Sequence, residues 1–313
     1  MVARGQSRPR RDTLKSGFDE ARVDELKHEA CYLCGSRDIA PYWSGFNAVR
    51  RDRRWYVAIC HHCGLAFMSP QPSAVEDSLW AGPPFRAFLV DARPSRRKQI
   101  CFEEWERRVL KHVFRGRLLD VGFGMGEFWR AADGAGWDAY GIDIHATGVA
   151  QARDFWKTDR LIAGRIGDVP SLFSEPFDVV NLSQIVEHLP DPLAGIRSAA
   201  QVLRSGGLLT IDVPNVRSAS GRLDRGRVMD VPAHLYYWSS GTLRRALEIC
   251  GFRVLEVTSG FGLANLLGRV IAPRPTARIA GCLRKIGSLG GGVYAVAESQ
   301  PTRVARLEQE RGM

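Results

Sequence analysis

No part of the sequence approaches the roughly 20 consecutive apolar residues that a helix needs to cross a bilayer, so no transmembrane segment is expected. The N-terminal "MVARGQSRPRRDTLKSG" is basic and has no apolar centre, which excludes a secretory signal and leads us to expect a disordered tail on a cytoplasmic protein. There is no internal repeat. Acidic residues are fewer than basic ones, 34 against 44, giving a formal net charge of +10. The surplus arginines are scattered over the tail, "RRDRR" (50–54), "RPSRRK" (93–98) and 217–227. That distribution suits solvated faces and an anionic small acceptor better than a continuous RNA footprint, so no stable nucleic-acid complex is expected. Cysteine is sparse and odd in number, seven in all, and four of the seven sit in two tight pairs. That pattern speaks against a disulfide framework and for a metal.

What is present is regular. At 313 residues the chain has room for one sizeable α/β domain and a small module. Residues 1–27 read as a tail and charged lead-in, 28–75 as the cysteine module, 76–115 as a linker ending in an amphipathic helix, and 301–313 as a charged helical tail. In that helix Ile100, Phe102, Trp105, Val109, Leu110 and Val113 fall mostly at helical spacing. From 116 to 300 the pattern alternates: "RLLDVG", "DAYGIDI", "LIAGRI", "FDVVNLSQ", "GLLTIDVP", "FRVLEVTS" and "GGVYAVAES" read as strands, with helices at 126–136, 146–156, 191–203 and "TLRRALEICG" between them. Gly136, Gly206 and Gly251 are read as helix stops. Such alternation predicts an α/β fold, a Rossmann-like doubly wound, mainly parallel seven-stranded sheet with both faces covered.

The first strand runs into "LLDVGFGMGEF", with glycines at 122, 124 and 126. A dinucleotide turn needs G-x-G-x-x-G, and its third glycine is here Glu127. A carboxylate in the first helical turn would also repel a pyrophosphate. Asp120 and Glu127 suit an ammonium or sulfonium instead. Asp143 ends the second strand, where a carboxylate can accept both hydroxyls of a ribose, and Asp168 follows the third, where it can accept an adenine amino group. Ribose, adenine, an amino-acid end and a positive sulfur together describe S-adenosylmethionine.

With "YGIDIH", "IGDVP" and "FDVVNLSQIVEHLPDP" following in register, the stretch 116–300 resembles the class I S-adenosylmethionine-dependent methyltransferases. The "EHLPDP" segment and "PAHLYYWSSGTLRRALEICGF" (232–252) are similar to its small-molecule and sugar branch. The resemblance implies cofactor contacts from Asp120, Gly122, Gly124, Gly126, Asp143, Ile144, Asp168, Val169 and Asn181. Its chemistry would stand beyond the fourth strand, with His188 either the general base, oriented by Glu187, or a histidine that holds the loop, and with His234 in the acceptor wall; Tyr236 and Tyr237 either line that wall or are core, and Trp238 is read as core. The basic loop 217–227 would grip an anionic acceptor as a lid, and the apolar, basic run 261–287 would make weak contact with a membrane surface.

"CYLCG" (31–35) and "CHHCG" (60–64) are two C-x-x-C-G knuckles. Cys31, Cys34, Cys60 and Cys63 form a closed four-thiolate set of the structural zinc-ribbon kind, with His61 and His62 exposed. Each trailing glycine permits the positive φ that lets amides face sulfur. The metal would replace a core that so short a module cannot build. The module followed by this fold resembles a bacterial group found among sugar C-methyltransferases and surface-polysaccharide or secondary-metabolite enzymes. The sugar C-methyltransferases carry a further α/β domain, which is not expected in this sequence. The acceptor is therefore expected to be a small molecule, nucleotide sugar or glycan methylated on oxygen. The alternative is an RNA methyltransferase that holds its strand with the zinc module and arginines.

Overall fold

The computed structural model describes residues 29–46, 54–71, 96–217, 231–259 and 292–300. The N-terminal tail, the loop 218–227, the run 261–287 and the C-terminal tail all lie outside the described residues. A small N-terminal unit supplies β1 (Ile39–Phe46), β2 (Arg54–Cys60) and β3 (Ala66–Met68), and α1 (Arg96–Val109) follows. Then come β4 (Arg117–Val121), α2 (Glu127–Gly134), β5 (Asp138–Asp143), α3 (Ala146–Trp156) and β6 (Leu161–Ala163). A 3-10 turn, Ile166–Asp168, leads into the short α4 (Val169–Leu172), β7 (Phe177–Ser183), α5 (Pro192–Gln201) and β8 (Leu203–Pro214). The chain ends with β9 (Tyr236–Tyr237), α6 (Ser240–Ile249), β10 (Arg253–Ser259) and β11 (Gly292–Glu298).

The large sheet has seven strands in the order β10-β11-β8-β7-β4-β5-β6. β4 pairs in parallel with β5 and β7, β5 with β6, and β7 with β8. Only β11 runs against its neighbours, inserted between β8 and β10. The strands read as continuous apolar runs because both faces are covered. Neighbours such as Leu118 and Leu119, Val179 and Val180, or Leu208 and Leu209 point to opposite faces and fall into two separate buried clusters. Chain order reverses between β4 and β7, so a crevice opens at their carboxyl ends, where ligands settle in such sheets.

The helices follow local signals. Asp191 caps α5 by accepting the Ala194 N–H at 2.8 Å, with Pro192 in the first turn. Ser239 and Thr242 form a reciprocal capping box at the start of α6. On α1 the buried stripe is Phe102, Trp105 and Val109, while Ile100 and Leu110 are 48% and 38% exposed and stand off it. Gly136 and Gly251 follow helices in the left-handed region, as read from the sequence. Gly206 does not end α5. Val202 closes that helix and Gly206 lies within β8.

The small sheet has the order β1-β2-β3-β9, and its last strand comes from residues beyond β8 in the large domain. One buried cluster runs without a break from Cys31, Leu33 and Leu65 to Val186, Ile211 and Tyr236. The cysteine module thus shares the main core, since 40-odd residues leave too much apolar surface uncovered alone.

Candidate functional site

Gly122, Gly124 and Gly126 adopt φ of 70°, 53° and 75°, a region L side chains rarely occupy. A Cβ on Gly122 would stand 2.0 Å from Ile185 Cδ1, and one on Gly126 would stand 3.0 Å from Trp156 Nε1. A Cβ on Gly124 would meet nothing within 4 Å. The outer two glycines therefore allow protein to close over the turn, and the middle one leaves bare backbone facing open space. Asp143 is tied to that turn: its Oδ2 accepts the Gly124 N–H at 3.0 Å and its Oδ1 the His145 N–H at 3.0 Å. Each oxygen retains a second lone pair for a ligand hydroxyl.

Asp120, 3% exposed at the end of β4, lies at the inner end of a buried relay. Trp105 Nε1–H donates to Thr210 Oγ1 at 3.0 Å, Thr210 donates to Asn181 Oδ1 at 2.8 Å, and Asn181 Nδ2 donates to Asp120 Oδ1 at 2.8 Å. Asn181, expected as a cofactor contact, is 2% exposed and spends its amide on this relay, so its place is behind Asp120. Val169 is also not at the surface of the crevice; its side chain is fully buried in the core. Ile144 is 40% exposed beside Asp143, and exposed Asp168 accepts the Arg165 N–H at 2.8 Å.

The residues expected to meet the acceptor start where β7 ends. Gln184, with φ of 57°, turns the chain, and its N–H donates to Asp212 O at 2.7 Å. Glu187 is 1% exposed, and among the described residues neither carboxylate oxygen has a hydrogen-bond partner. Burial pushes its carboxyl well above the usual range, and the charge of Asp212 adds to this. Its backbone carbonyl accepts the N–H groups of Leu235 and Tyr236 at 2.8 and 3.2 Å. His188 Nδ1 lies 2.9 Å from Ala233 O. A carbonyl can only accept, so Nδ1 carries a proton, and in the neutral ring Nε2 holds the lone pair. Glu187 Oε1 is 3.9 Å from His188 Nε2, beyond hydrogen-bond reach. The expectation that Glu187 orients His188 is therefore corrected: the Ala233 carbonyl does so. His234, 9% exposed, brings its ring centroid to 4.8 Å from that of His188 and 6.3 Å from that of Tyr237. Tyr236, Tyr237 and Trp238 are buried rather than lining an open wall.

Glu187, His188 and His234 have donor atoms within 4.8 Å of one another. Neighbouring ligands on bonds of 2.0–2.1 Å sit about 3.0–3.4 Å apart, so the 3.9 Å separation is wider than a bound ion would set. The arrangement suits proton handling better.

The cysteine set meets the same test differently. Cys31 and Cys63 Sγ are 3.6 Å apart, as are those of Cys34 and Cys60, and all four lie within 4.8 Å of one another. Tetrahedral ligands on 2.3 Å bonds are about 3.8 Å apart. Gly35 and Gly64 take φ of 71° and 78°, as the knuckle reading requires. His61 and His62 are exposed, and His61 faces Asp38 at 3.3 Å. The four sulfurs fit a closed tetrahedral ion with no place left for water.

Three participants had no clear mark in the sequence. Asp212 at the end of β8 could have been found by extending the strand-end logic of Asp120 and Asp143. The Ala233 carbonyl and Tyr32, whose hydroxyl donates to Asp191 and accepts the Leu193 N–H at 3.0 Å, carried no local signal. Of the abundant arginines, Arg108, Arg117, Arg204 and Arg253 are committed to ion pairs with Glu256, Glu175, Asp178 and Glu298.

Comparison with known proteins follows the same division. A family model described as a methyltransferase domain matches residues 94–257, just over half of the chain, and begins after the cysteine unit. The chain is similar to a ubiquinone biosynthesis O-methyltransferase of Actinobacillus pleuropneumoniae serotype 7 (strain AP76), 30% identical over 179 residues, covering 49% of this chain and 76% of the relative. The corresponding protein of serotype 5b (strain L20) is 27% identical over 177 residues, with the same coverage of 49% and 76%. Among solved structures it is similar to a SAM-dependent methyltransferase from Archaeoglobus fulgidus, with a TM-score of 0.48, 19% identity and coverage of 64% of this chain and 94% of that one.

Proposed function

The chain belongs to the methyltransferase-domain family and is a class I S-adenosylmethionine-dependent methyltransferase; from this premise we propose that it methylates a hydroxyl of a small-molecule acceptor, with His188 as general base. The observation that carries the proposal is the meeting of two halves at the switch point. The bare turn at Gly124, hydrogen-bonded to Asp143, stands on one side, and the His188–His234 pair stands on the other.

When bound, S-adenosylmethionine supplies a methyl group activated by a positive sulfur. Asp143 accepts the ribose hydroxyls, Asp120 faces the ammonium, and Ile144 and Asp168 border the adenine. His188 holds its ring through Nδ1–H to Ala233 and takes the acceptor's hydroxyl proton on Nε2. His234, its ring centroid 4.8 Å from that of His188, orients the acceptor, and the buried aromatic strand behind it excludes water. In-line positioning supplies much of the rate in such a displacement. An O–H acceptor agrees with the names of the relatives, and a glycan-linked hydroxyl falls within the same chemistry. Cys31, Cys34, Cys60 and Cys63 hold a structural zinc ion in this reading.

The test is methyl transfer from labelled S-adenosylmethionine to a panel of hydroxylated acceptors. With the best of them, His188→Ala should lower turnover by about 10²–10⁴-fold with nearly unchanged cofactor affinity. The wild-type rate should rise with pH through a histidine titration and then flatten. Near-normal turnover in the variant removes His188 as the base. Salt-resistant, sequence-selective RNA binding would instead favour an RNA substrate.

A further inference from the structure

The small cysteine unit grips both segments that carry the histidine pair. Its edge strand β3 pairs antiparallel with β9, Ala66 opposite Tyr237 and Phe67 opposite Tyr236. The Met68 N–H donates to Leu235 O at 2.8 Å, one residue after His234. Its first knuckle reaches the other segment. Tyr32, between Cys31 and Cys34, donates to the Asp191 carboxylate and accepts the Leu193 N–H at 3.0 Å. Asp191 is the cap of α5, three residues beyond His188. The Tyr32 ring also lies 5.1 Å from that of Tyr236, whose hydroxyl donates to Pro190 O at 3.1 Å. The two gripped segments are joined to each other by Leu235 and Tyr236 N–H to Glu187 O, and by His188 Nδ1–H to Ala233 O.

We propose that the cysteine unit is the positioning element of the acceptor site: Tyr32 and β3 clamp the 187–193 and 233–237 segments so that His188 and His234 face each other. The clamp depends on the folding of the knuckles, and that folding is what four metal-bound thiolates supply to so short a stretch. A two-residue strand such as β9 has little stability of its own; β3 and the Glu187 carbonyl hold its two residues, and the next residue, Trp238, bridges Asn215 and accepts the Val216 N–H at 3.0 Å. The cofactor acids are held differently. Asp143 is bonded to Gly124 and His145, and Asp120 to Asn181, all within the large domain. Loss of the clamp should therefore disorder the acceptor side and spare the cofactor side. The geometry of this clamp stands by itself; its catalytic consequence rests on the His188 reading above.

Hydrogen exchange read by mass spectrometry on the full chain, zinc-loaded and then stripped with a chelator under reducing conditions, tests the coupling. Peptides covering 31–68 and 233–237 should gain exchange together, by about tenfold or more, while 117–121 and 138–143 stay protected. Affinity for S-adenosylhomocysteine by calorimetry should hold within about twofold. In a second arm, Tyr32→Phe keeps all four thiolates and should retain its zinc. Its His188 ring nitrogens, read by ¹⁵N NMR, should shift away from the Nδ1–H form and titrate at a different pH, with His112 as an unmoved control. Protection of 233–237 persisting while 31–68 exchanges overturns the proposal, as does exchange spreading to 117–121 or an unmoved His188 signal in Tyr32→Phe. None of these readouts uses turnover, so failure of the general-base assignment in His188→Ala is a separate result.

Discussion

Among the described residues Glu187 is the carboxyl whose environment departs most from what a carboxyl prefers: 1% exposed, with no hydrogen-bond partner there on either oxygen. Burial raises its folded pKa above the unfolded value, so between the two the folded chain holds a proton that the unfolded chain has released. Its contribution to stability is complete below the unfolded pKa, about 4.3 for a glutamate, and is lost as pH rises through the folded value. Glu187→Gln keeps the shape and removes the titration. Raising the pH from about 5 to 8 should therefore lower the wild-type melting temperature relative to that of the variant. Parallel melting curves across that range would show that Glu187 carries its charge in the fold.

The turn between β4 and α2 shows how an element prepares a site. Three positive φ angles in five residues hold the backbone in a shape that only glycine adopts without strain. Ile185 can lie over Gly122 only because no side chain is there, which brings the acceptor segment against the cofactor turn. Asp143 closes the element from β5 by accepting the Gly124 N–H. Asp143→Ala should weaken binding of S-adenosylmethionine by about 1–3 kcal/mol, the range of hydrogen bonds to a charged group. Calorimetry on the folded variant checks this; an unchanged dissociation constant would remove Asp143 from the ribose site.

At the scale of the molecule, the small sheet, the large sheet and the acceptor segments share one apolar core. Burying a single Val, Leu or Phe side chain contributes about 1.5–3 kcal/mol, and Leu33, Val57, Leu65, Phe67 and Met68 all lie in that shared cluster. The purified chain should carry about one zinc per molecule by metal analysis, lost in Cys60→Ser. Cys60→Ser should also open the cysteine unit and the 233–237 segment in a partial transition ahead of the main unfolding, which the zinc-loaded chain lacks. Zinc absent under reducing conditions, or an iron–sulfur absorbance, would rule out the metal assignment.

The sequence by itself determined whatever rests on local physical chemistry. Apolar runs marked all seven strands of the large sheet, five of them to within a residue at each end, while β6 ends three residues sooner and β8 starts four residues earlier than read. The glycine turn, its missing third glycine and the strand-end acids Asp120 and Asp143 were legible because backbone conformation and strand ends leave marks within a few residues. The knuckle glycines were legible for the same reason. Tertiary structure alone decided the rest. That β3 of the small unit would pair with Tyr236–Tyr237, some 170 positions along the chain, follows from an edge that had to be covered and an apolar face that had to be shared. Asn181 turned inward to steady Asp120, Val169 went into the core, and a backbone carbonyl took the orienting role expected of Glu187. Carbonyls carry no sequence signature, and a hydrogen bond between segments depends on which two surfaces the core brings together.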